Sequence, residues 1–192
     1  MSTYFFMKDL GDLHLSLGME VTRSTSSNSL LLTQTKYTAD LLERTDMLDC
    51  KPCTTSVASG NRVSPHAGEP LSNLAEYSRI VGGLQYLTLT RPDITFAVNY
   101  TSQFMHASTS EHMLLVKRIL RYLNHSMGSG ITISPGDITQ LTGYSDSDWD
   151  GCPDSRKSTS GYCVFLDSTL ISWQSKKQPT VSKSFTEAES ML

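Results

Sequence analysis

The spacing of apolar residues changes near position 127, and this change limits the folds that are open to the chain. Upstream, apolar residues recur every three or four positions, as on the buried face of a helix. Downstream, the segments 131–133, 141–145, 161–166 and 170–174 have the short alternating patterns that are typical of strands. We therefore expect an α+β fold, in which a helical block precedes an antiparallel β block and a final helix.

Turn residues and helix caps predict the boundaries within this order. A strand over 13–21, a turn over 24–29 and a strand over 30–33 form a predicted hairpin before a helix at 34–45. A loop rich in Ser, Thr, Gly and Pro covers 50–73, and two further helices are separated by Arg91-Pro92-Asp93. The next helix is predicted to run from an N-cap at 108–110 to about 124. Gly82-Gly83 suggests close helix packing.

Two acidic motifs contain the candidate metal ligands. The first, Tyr144-Ser145-Asp146-Ser147-Asp148-Trp149, ends a predicted strand, and the second, Thr186-Glu187-Ala188-Glu189, lies in the predicted final helix. Proteins build Mg²⁺ sites for phosphodiester chemistry from carboxylates in such positions. Asp146 is the leading candidate ligand, and Asp148 is a further candidate that shares its strand face. The alternative is that these are solvated acidic side chains at the ends of elements.

Basic residues do not dominate a chain whose formal net charge is −3, so contacts with nucleic acid would depend on local clusters. One candidate cluster is Lys117, Arg118 and Arg121 on the helix after 110, and the other is Lys176-Lys177 after the last strand. Either cluster could contact phosphates without reading the base sequence, or could be an ordinary solvated surface.

Cysteine usage and hydropathy favour an intracellular protein. Cys50-Lys51-Pro52-Cys53 has the C-x-x-C spacing but no second pair of ligands, so free structural thiols are expected. No apolar run approaches the roughly 18 residues that span a bilayer, and no secretory signal is evident. We expect a cytoplasmic or nuclear location and no contact with a membrane.

A series of short motifs runs in order through nearly the whole chain. They are Met7-Lys8-Asp9-Leu10-Gly11, Leu17-Gly18-Met19-Glu20-Val21, Gln34-Thr35-Lys36-Tyr37, Met47-Leu48-Asp49-Cys50-Lys51-Pro52, the segment 81–94, Lys117-Arg118-Ile119-Leu120-Arg121-Tyr122-Leu123, the segments 144–149, 158–165 and 171–173, Ser175-Lys176-Lys177-Gln178-Pro179 and Thr186-Glu187-Ala188-Glu189. Together they resemble the Pol polyprotein of copia-type long-terminal-repeat retrotransposons, of a plant type. The resemblance is highly specific, because so many spaced motifs do not agree by chance.

The resemblance implies two parts. Residues 1–127 resemble the palm end, thumb and connection of a reverse transcriptase, and residues 128–192 resemble the start of an RNase H-like domain with a mixed sheet. By this resemblance Asp146 and Glu189 are the first two RNase H carboxylates, which would share Mg²⁺ and activate a water against RNA in an RNA–DNA hybrid. The intact family also carries out RNA-directed DNA synthesis.

The chain also departs from the family pattern. It contains no Tyr-x-Asp-Asp turn, and the further RNase H aspartates of the family are expected beyond its last residue. We therefore expect a truncated fragment of a decayed element that is inactive alone and binds Mg²⁺ weakly. Two alternatives stay open. A complementing Pol chain could supply the missing residues, or the chain could be a domesticated non-catalytic module that binds nucleic acid or protein.

Overall fold

The computed structural model describes residues 13–59, 62–149, 151, 152 and 154–190, and it folds them into five α-helices and two antiparallel sheets. The expected combination of helices and strands is thereby confirmed. The motif Met7-Lys8-Asp9-Leu10-Gly11 lies outside the described residues. In the described part of the chain, no helix has both the length and the apolar character needed to cross a membrane.

The first sheet combines the N-terminal strands with a strand from the middle of the chain. Its order is β1 (Leu15–Ser16), β2 (Met19–Ser24), β3 (Ser29–Thr33) and β4 (Ile131–Ile133). The strand predicted at 13–21 is in fact two strands, because Leu17 and Gly18 have φ of 51° and 73° and form the tight turn of a hairpin. The predicted hairpin with residues 30–33 is formed by β2 and β3.

Four helices that pack together follow β3 and precede β4 along the chain. They are α1 (Thr35–Arg44), α2 (Leu74–Leu87), α3 (Thr95–Ser102) and α4 (Ser110–His125), with a 3₁₀ turn at Pro92–Ile94 before α3. Pro92 occupies the first turn, as the sequence predicts. The fully buried Tyr77 of α2 donates its hydroxyl to the carbonyl of Thr101 in α3 at 2.8 Å, so the largest core side chain is also hydrogen-bonded.

The second sheet contains β5 (Leu141–Asp148), β6 (Thr159–Leu166) and β7 (Thr169–Lys177), followed by α5 (Phe185–Ser190). The three strands are paired in sequence order and all pairs are antiparallel. The expectation of a mixed sheet is therefore wrong for the described strands, because the connections at 149–158 and 167–168 are shorter than the crossover of about a dozen residues that parallel neighbours need.

Two side chains tie the second sheet to the helices. The indole Nε1 of Trp173 in β7 donates to the carbonyl of Thr88, at the end of α2, at 3.1 Å. Arg62, in the long loop before α2, forms an ion pair with Asp148 at the end of β5. These contacts place one face of the second sheet against the helical region.

Candidate nucleic-acid interface and acidic face

The two faces of β5 have different surroundings. The hydroxyl of Ser147 is buried against Ser160 at 3.2 Å, and Gln178 Nε2 donates to Ser160 at 2.7 Å and to the carbonyl of Ala188 in α5 at 2.7 Å. Helix α5 therefore covers the face that carries Ser147. Because side chains alternate along a strand, Asp146 and Asp148 lie on the opposite face, towards the helices.

The two aspartates of the first acidic motif differ in their contacts. Asp146 is exposed, and its Oδ1 accepts from the backbone N–H of Ser147 at 2.9 Å. Asp148 is half-buried, and its oxygens accept from the guanidinium of Arg62 and from the backbone N–H of Thr159. Asp148 is thus already neutralised by a cation of the chain itself.

The glutamates of the second motif lie on α5. Glu187 accepts from the backbone N–H of Lys183 at 2.6 Å, and its own N–H donates to the hydroxyl of Ser184 at 3.2 Å, so Ser184 caps the start of the helix. Ala188 is fully buried and faces the sheet, whereas Glu189 is exposed. The helix of Glu189 and the side chain of Asp146 therefore lie on opposite faces of the sheet.

This arrangement does not fit a shared Mg²⁺ ion. Mg²⁺ requires near-octahedral oxygen coordination with short bonds, so two protein ligands must converge on one point. Among the described residues, no group of three or more His, Cys, Asp or Glu is placed to hold a metal. Helix α5, which carries Glu189, packs on the face of the sheet opposite Asp146, and Asp148 is paired with Arg62.

The cluster on α4 divides into one exposed cation and two that hold a loop. Arg118 Nη2 donates to Thr55 Oγ1 at 2.6 Å, and Arg121 Nε donates to the carbonyl of Lys51 at 2.7 Å. Lys117 is exposed. The arginines therefore fasten the start of the long loop to α4 and are partly exposed, and Lys117 is the most exposed of the three cations.

Lys176 and Lys177 do not form a patch, because consecutive strand residues point to opposite faces. Lys176 is exposed, whereas Lys177 donates from Nζ to Cys152 Sγ at 2.9 Å. Burial raises the pKa of the Cys152 thiol, but the hydrogen bonds from Lys177 and from Ser155 outweigh it and bring the pKa down to about 7. Lys177 thus stabilises a thiolate.

The glycine pair of α2 marks a feature that the sequence reasoning missed. A Cβ on Gly83 would lie 3.1 Å from Leu41 and 3.2 Å from the hydroxyl of Tyr37, so the expected close helix packing is confirmed there. At Gly82 a Cβ would meet no described atom within 4 Å. Gly82 instead lines an open cleft between α1 and α2. The sequence signal for this cleft was the presence of Gly82 next to Gly83, because helix packing requires a glycine only at position 83.

Two arginines flank this cleft, which has a volume of about 510 Å³. Arg44 is held in place, because its Nε donates to the carbonyl of Asp40 at 3.0 Å and its guanidinium lies 5.8 Å from the ring centroid of Tyr37. Arg79 is exposed on α2. The carboxylate-bearing Glu76 also lines the cleft, which therefore combines two cations, one anion, an aromatic ring and an unobstructed stretch of helix backbone.

Comparison with known proteins gives matches over nearly the full chain. The chain is 48% identical over 189 residues to the Retrovirus-related Pol polyprotein from transposon RE1 of Arabidopsis thaliana, covering 98% of the chain but 13% of that polyprotein. It is 43% identical to an uncharacterized mitochondrial protein of Arabidopsis thaliana, covering 98% of the chain and 78% of that protein.

A shorter match is the Secreted RxLR effector protein 161 of Plasmopara viticola, which is 44% identical over 116 residues, or 60% of the chain and 82% of the effector. No family model and no solved structure matches the chain.

Proposed function

We propose that this chain, which belongs to the retrovirus-related Pol polyproteins of copia-like transposons, is a segment of such a polyprotein. In this proposal the segment binds an RNA–DNA hybrid without cleaving it. On this proposal residues 1–127 correspond to the palm end, thumb and connection of a reverse transcriptase. Residues 128–192 correspond to the start of an RNase H-like domain. The proposed hybrid contact is the α1–α2 cleft.

The open backbone at Gly82 is the observation that carries the binding proposal. Glycine inside a helix costs about 0.5–1 kcal/mol relative to alanine, and no neighbour within the described chain requires one at this position. Glycine is suited to sites where another molecule approaches a backbone closely. The flanking Arg44 and Arg79 outnumber the one acidic lining residue, Glu76, and supply the positive charge that attracts a phosphodiester backbone.

The arrangement of the acidic face supports the proposed absence of cleavage. Asp146 and Glu189 are, on this proposal, remnants of an RNase H ligand set that would hold Mg²⁺. They lie on opposite sides of the second sheet, and Asp148 is bound to Arg62. On this proposal, a complementing Pol chain would have to supply further ligands before Mg²⁺ could be held for cleavage.

Binding is tested by fluorescence anisotropy with a labelled RNA–DNA hybrid at several salt concentrations. Arg44→Ala and Arg79→Ala should each weaken binding about threefold to tenfold and lower the salt slope by about one. Gly82→Leu should weaken binding about tenfold by filling the cleft, whereas Gln85→Leu, outside the cleft on the same helix, should not.

A second set of variants compares the cleft with the lysines that the sequence predicts to contact phosphates. These variants are Lys117→Ala, Lys176→Ala and Lys177→Ala. Arg118 and Arg121 are left unchanged, because they hold the loop. If the lysine changes weaken binding and the cleft changes do not, the proposed interface is wrong.

Cleavage is tested separately on the same hybrid with Mg²⁺. The wild-type chain and Asp146→Asn should both leave the hybrid intact. Mg²⁺-dependent cleavage by the wild type that is lost in Asp146→Asn would refute the proposed inactivity while leaving the binding proposal standing.

A second candidate function is a non-catalytic module that binds protein. It is favoured by the matches to shorter proteins, in which the aligned region makes up 78% and 82% of the whole. The occurrence of this segment as most of a shorter protein is compatible with a role that does not need polymerase or nuclease domains in the same chain. Salt-independent or undetectable hybrid binding would favour this candidate over the first.

A further inference from the structure

The loop of residues 62–64 lies between the helices and the second sheet, and Arg62 is its main contact with the sheet. The guanidinium of Arg62 contacts the carboxylate of Asp148, and its Nη1 donates to Thr159 Oγ1 at 3.4 Å. It also lies 5.6 Å from the ring centroid of Phe96 and 5.9 Å from that of Tyr100. Arg62 is thus held between two aromatic rings of α3 and the end of β5.

Both oxygens of Asp148 are engaged from the protein side. Oδ2 accepts from Arg62, Oδ1 accepts from the backbone N–H of Thr159, and Gly151 packs so closely that a Cβ there would collide with the carboxylate. The side chains of Arg62 and Asp148 are only 23% and 33% exposed. A metal ion could reach Asp148 only by displacing Arg62 and disturbing this packing.

Three further bonds fasten the same loop on both sides. The hydroxyl of Tyr100 donates to the carbonyl of Val63 at 2.8 Å, and Nε2 of His112 lies 3.2 Å from the carbonyl of Ser64. The hydroxyl of Ser64 donates to Asp154 at 3.1 Å. Residues 62–64 therefore form a strap, bonded to α3 and α4 on one side and to the second sheet on the other.

We propose that Arg62 and Asp148 form a latch that fastens this strap to the second sheet, and that Asp148 is an anchoring residue rather than a metal ligand. The acidic motif around β5 thus has two different roles, with Asp146 left exposed and Asp148 withdrawn into an ion pair. The proposal does not depend on hybrid binding, since neither Arg62 nor Asp148 lines the α1–α2 cleft.

The test compares Arg62→Met, which keeps the apolar stem against the rings, with Asp148→Asn and the double variant. Each single change should lower the melting temperature by about 2–4 °C, and the double change should lower it no further, because both remove one interaction. Limited proteolysis between residues 54 and 72 should accelerate about fivefold in all three. Lys183→Met, an exposed cation away from the strap, is the matched control. Additive losses in the double variant would overturn the latch.

A Mg²⁺ titration of the wild-type chain, followed by its melting temperature, tests the second half of the proposal. No increase up to millimolar Mg²⁺ is expected. An increase that survives in Asp148→Asn would place the ion elsewhere and agree with the proposal. An increase that Asp148→Asn abolishes would make Asp148 a ligand and overturn it.

Discussion

The imidazole of His112 lies flat against the ring of Phe104, with the two centroids 3.8 Å apart and the planes within 4°. Nδ1 of His112 accepts from the backbone N–H of Thr109 at 3.1 Å and so completes the capping box of α4. Nε2 must then carry the proton, and it donates to the carbonyl of Ser64. The helix start therefore depends on a neutral histidine.

We predict that acid weakens the fold through His112. Burial lowers the pKa of this side chain, although the bond to Ser64 and the charge of Glu111 favour the proton. The unfolded chain therefore binds a proton more readily, so stability is complete above about pH 6.5 and declines below it. The melting temperature measured between pH 7.5 and 5.5 should fall, and His112→Gln should flatten this dependence. An unchanged slope in His112→Gln, with His66→Gln as the exposed control, would contradict the prediction.

The two glycines of α2 should respond differently to alanine. Gly82→Ala should raise the free energy of unfolding by about 0.5–1 kcal/mol, because the added methyl group meets open space. Gly83→Ala should raise the free energy of unfolding by less than this or should lower it, since Leu41 and Tyr37 must move to admit the methyl group. Denaturant midpoints of the two variants measure the difference, and equal effects would be inconsistent with the packing of α1 on α2.

Near neutral pH, Cys152 should be alkylated faster than a thiol of ordinary pKa that is equally buried. The pKa of its thiol is brought to about 7 with the help of the Lys177 ammonium, so Lys177→Met should slow labelling at pH 7 about fivefold. Lys176→Met, on the other face of the strand, is the control. Peptide mass spectrometry of iodoacetamide-treated protein gives the rate at Cys152 itself, and equal rates in both variants would exclude the assigned role of Lys177.

Asp93→Ala should destabilise the helical region by about 1–2 kcal/mol, less than the loss from a fully buried pair because the Asp93 side chain is 36% exposed. The Arg91 side chain is 3% exposed and donates from Nη2 to Asp93 at 2.7 Å and to Ser126 Oγ at 2.6 Å. Removing the carboxylate leaves a buried cation without its counter-charge. Chemical denaturation of Asp93→Ala and Asp93→Asn measures the loss, and a change below about 0.5 kcal/mol would show that Arg91 does not need Asp93.

Local patterns in the sequence predicted the helices well, because caps and apolar spacing act within a few residues. Thr109 starts α4 as expected, and Pro92 begins the turn before α3. The turn at Leu17-Gly18 was missed because Leu17 is an unusual residue for positive φ. The pattern of apolar residues continued across it and so predicted a single strand.

Relations between distant segments could not be predicted in the same way. Lys176 and Lys177 form a cluster along the chain, but β7 sends them to opposite faces. The ion pair of Arg62 with Asp148 joins residues that are 86 positions apart, and nothing in either local pattern indicates the other. The acidic motif could therefore be recognised from the sequence, but the engagement of one of its aspartates could not.

Because β4 pairs with β3, the chain leaves the first sheet after β3, forms helices α1 to α4, and returns to the same sheet beside β3. Leu32 pairs with Ile131, and Gly130 lies so close to the Leu32 carbonyl that no side chain fits there. The two ends of segment 34–130 are thus separated by about one strand spacing, roughly 5 Å. Such a segment is suited to circular permutation or head-to-tail closure, whereas a cut between residues 127 and 128 would deprive the N-terminal hairpin of its neighbouring strand.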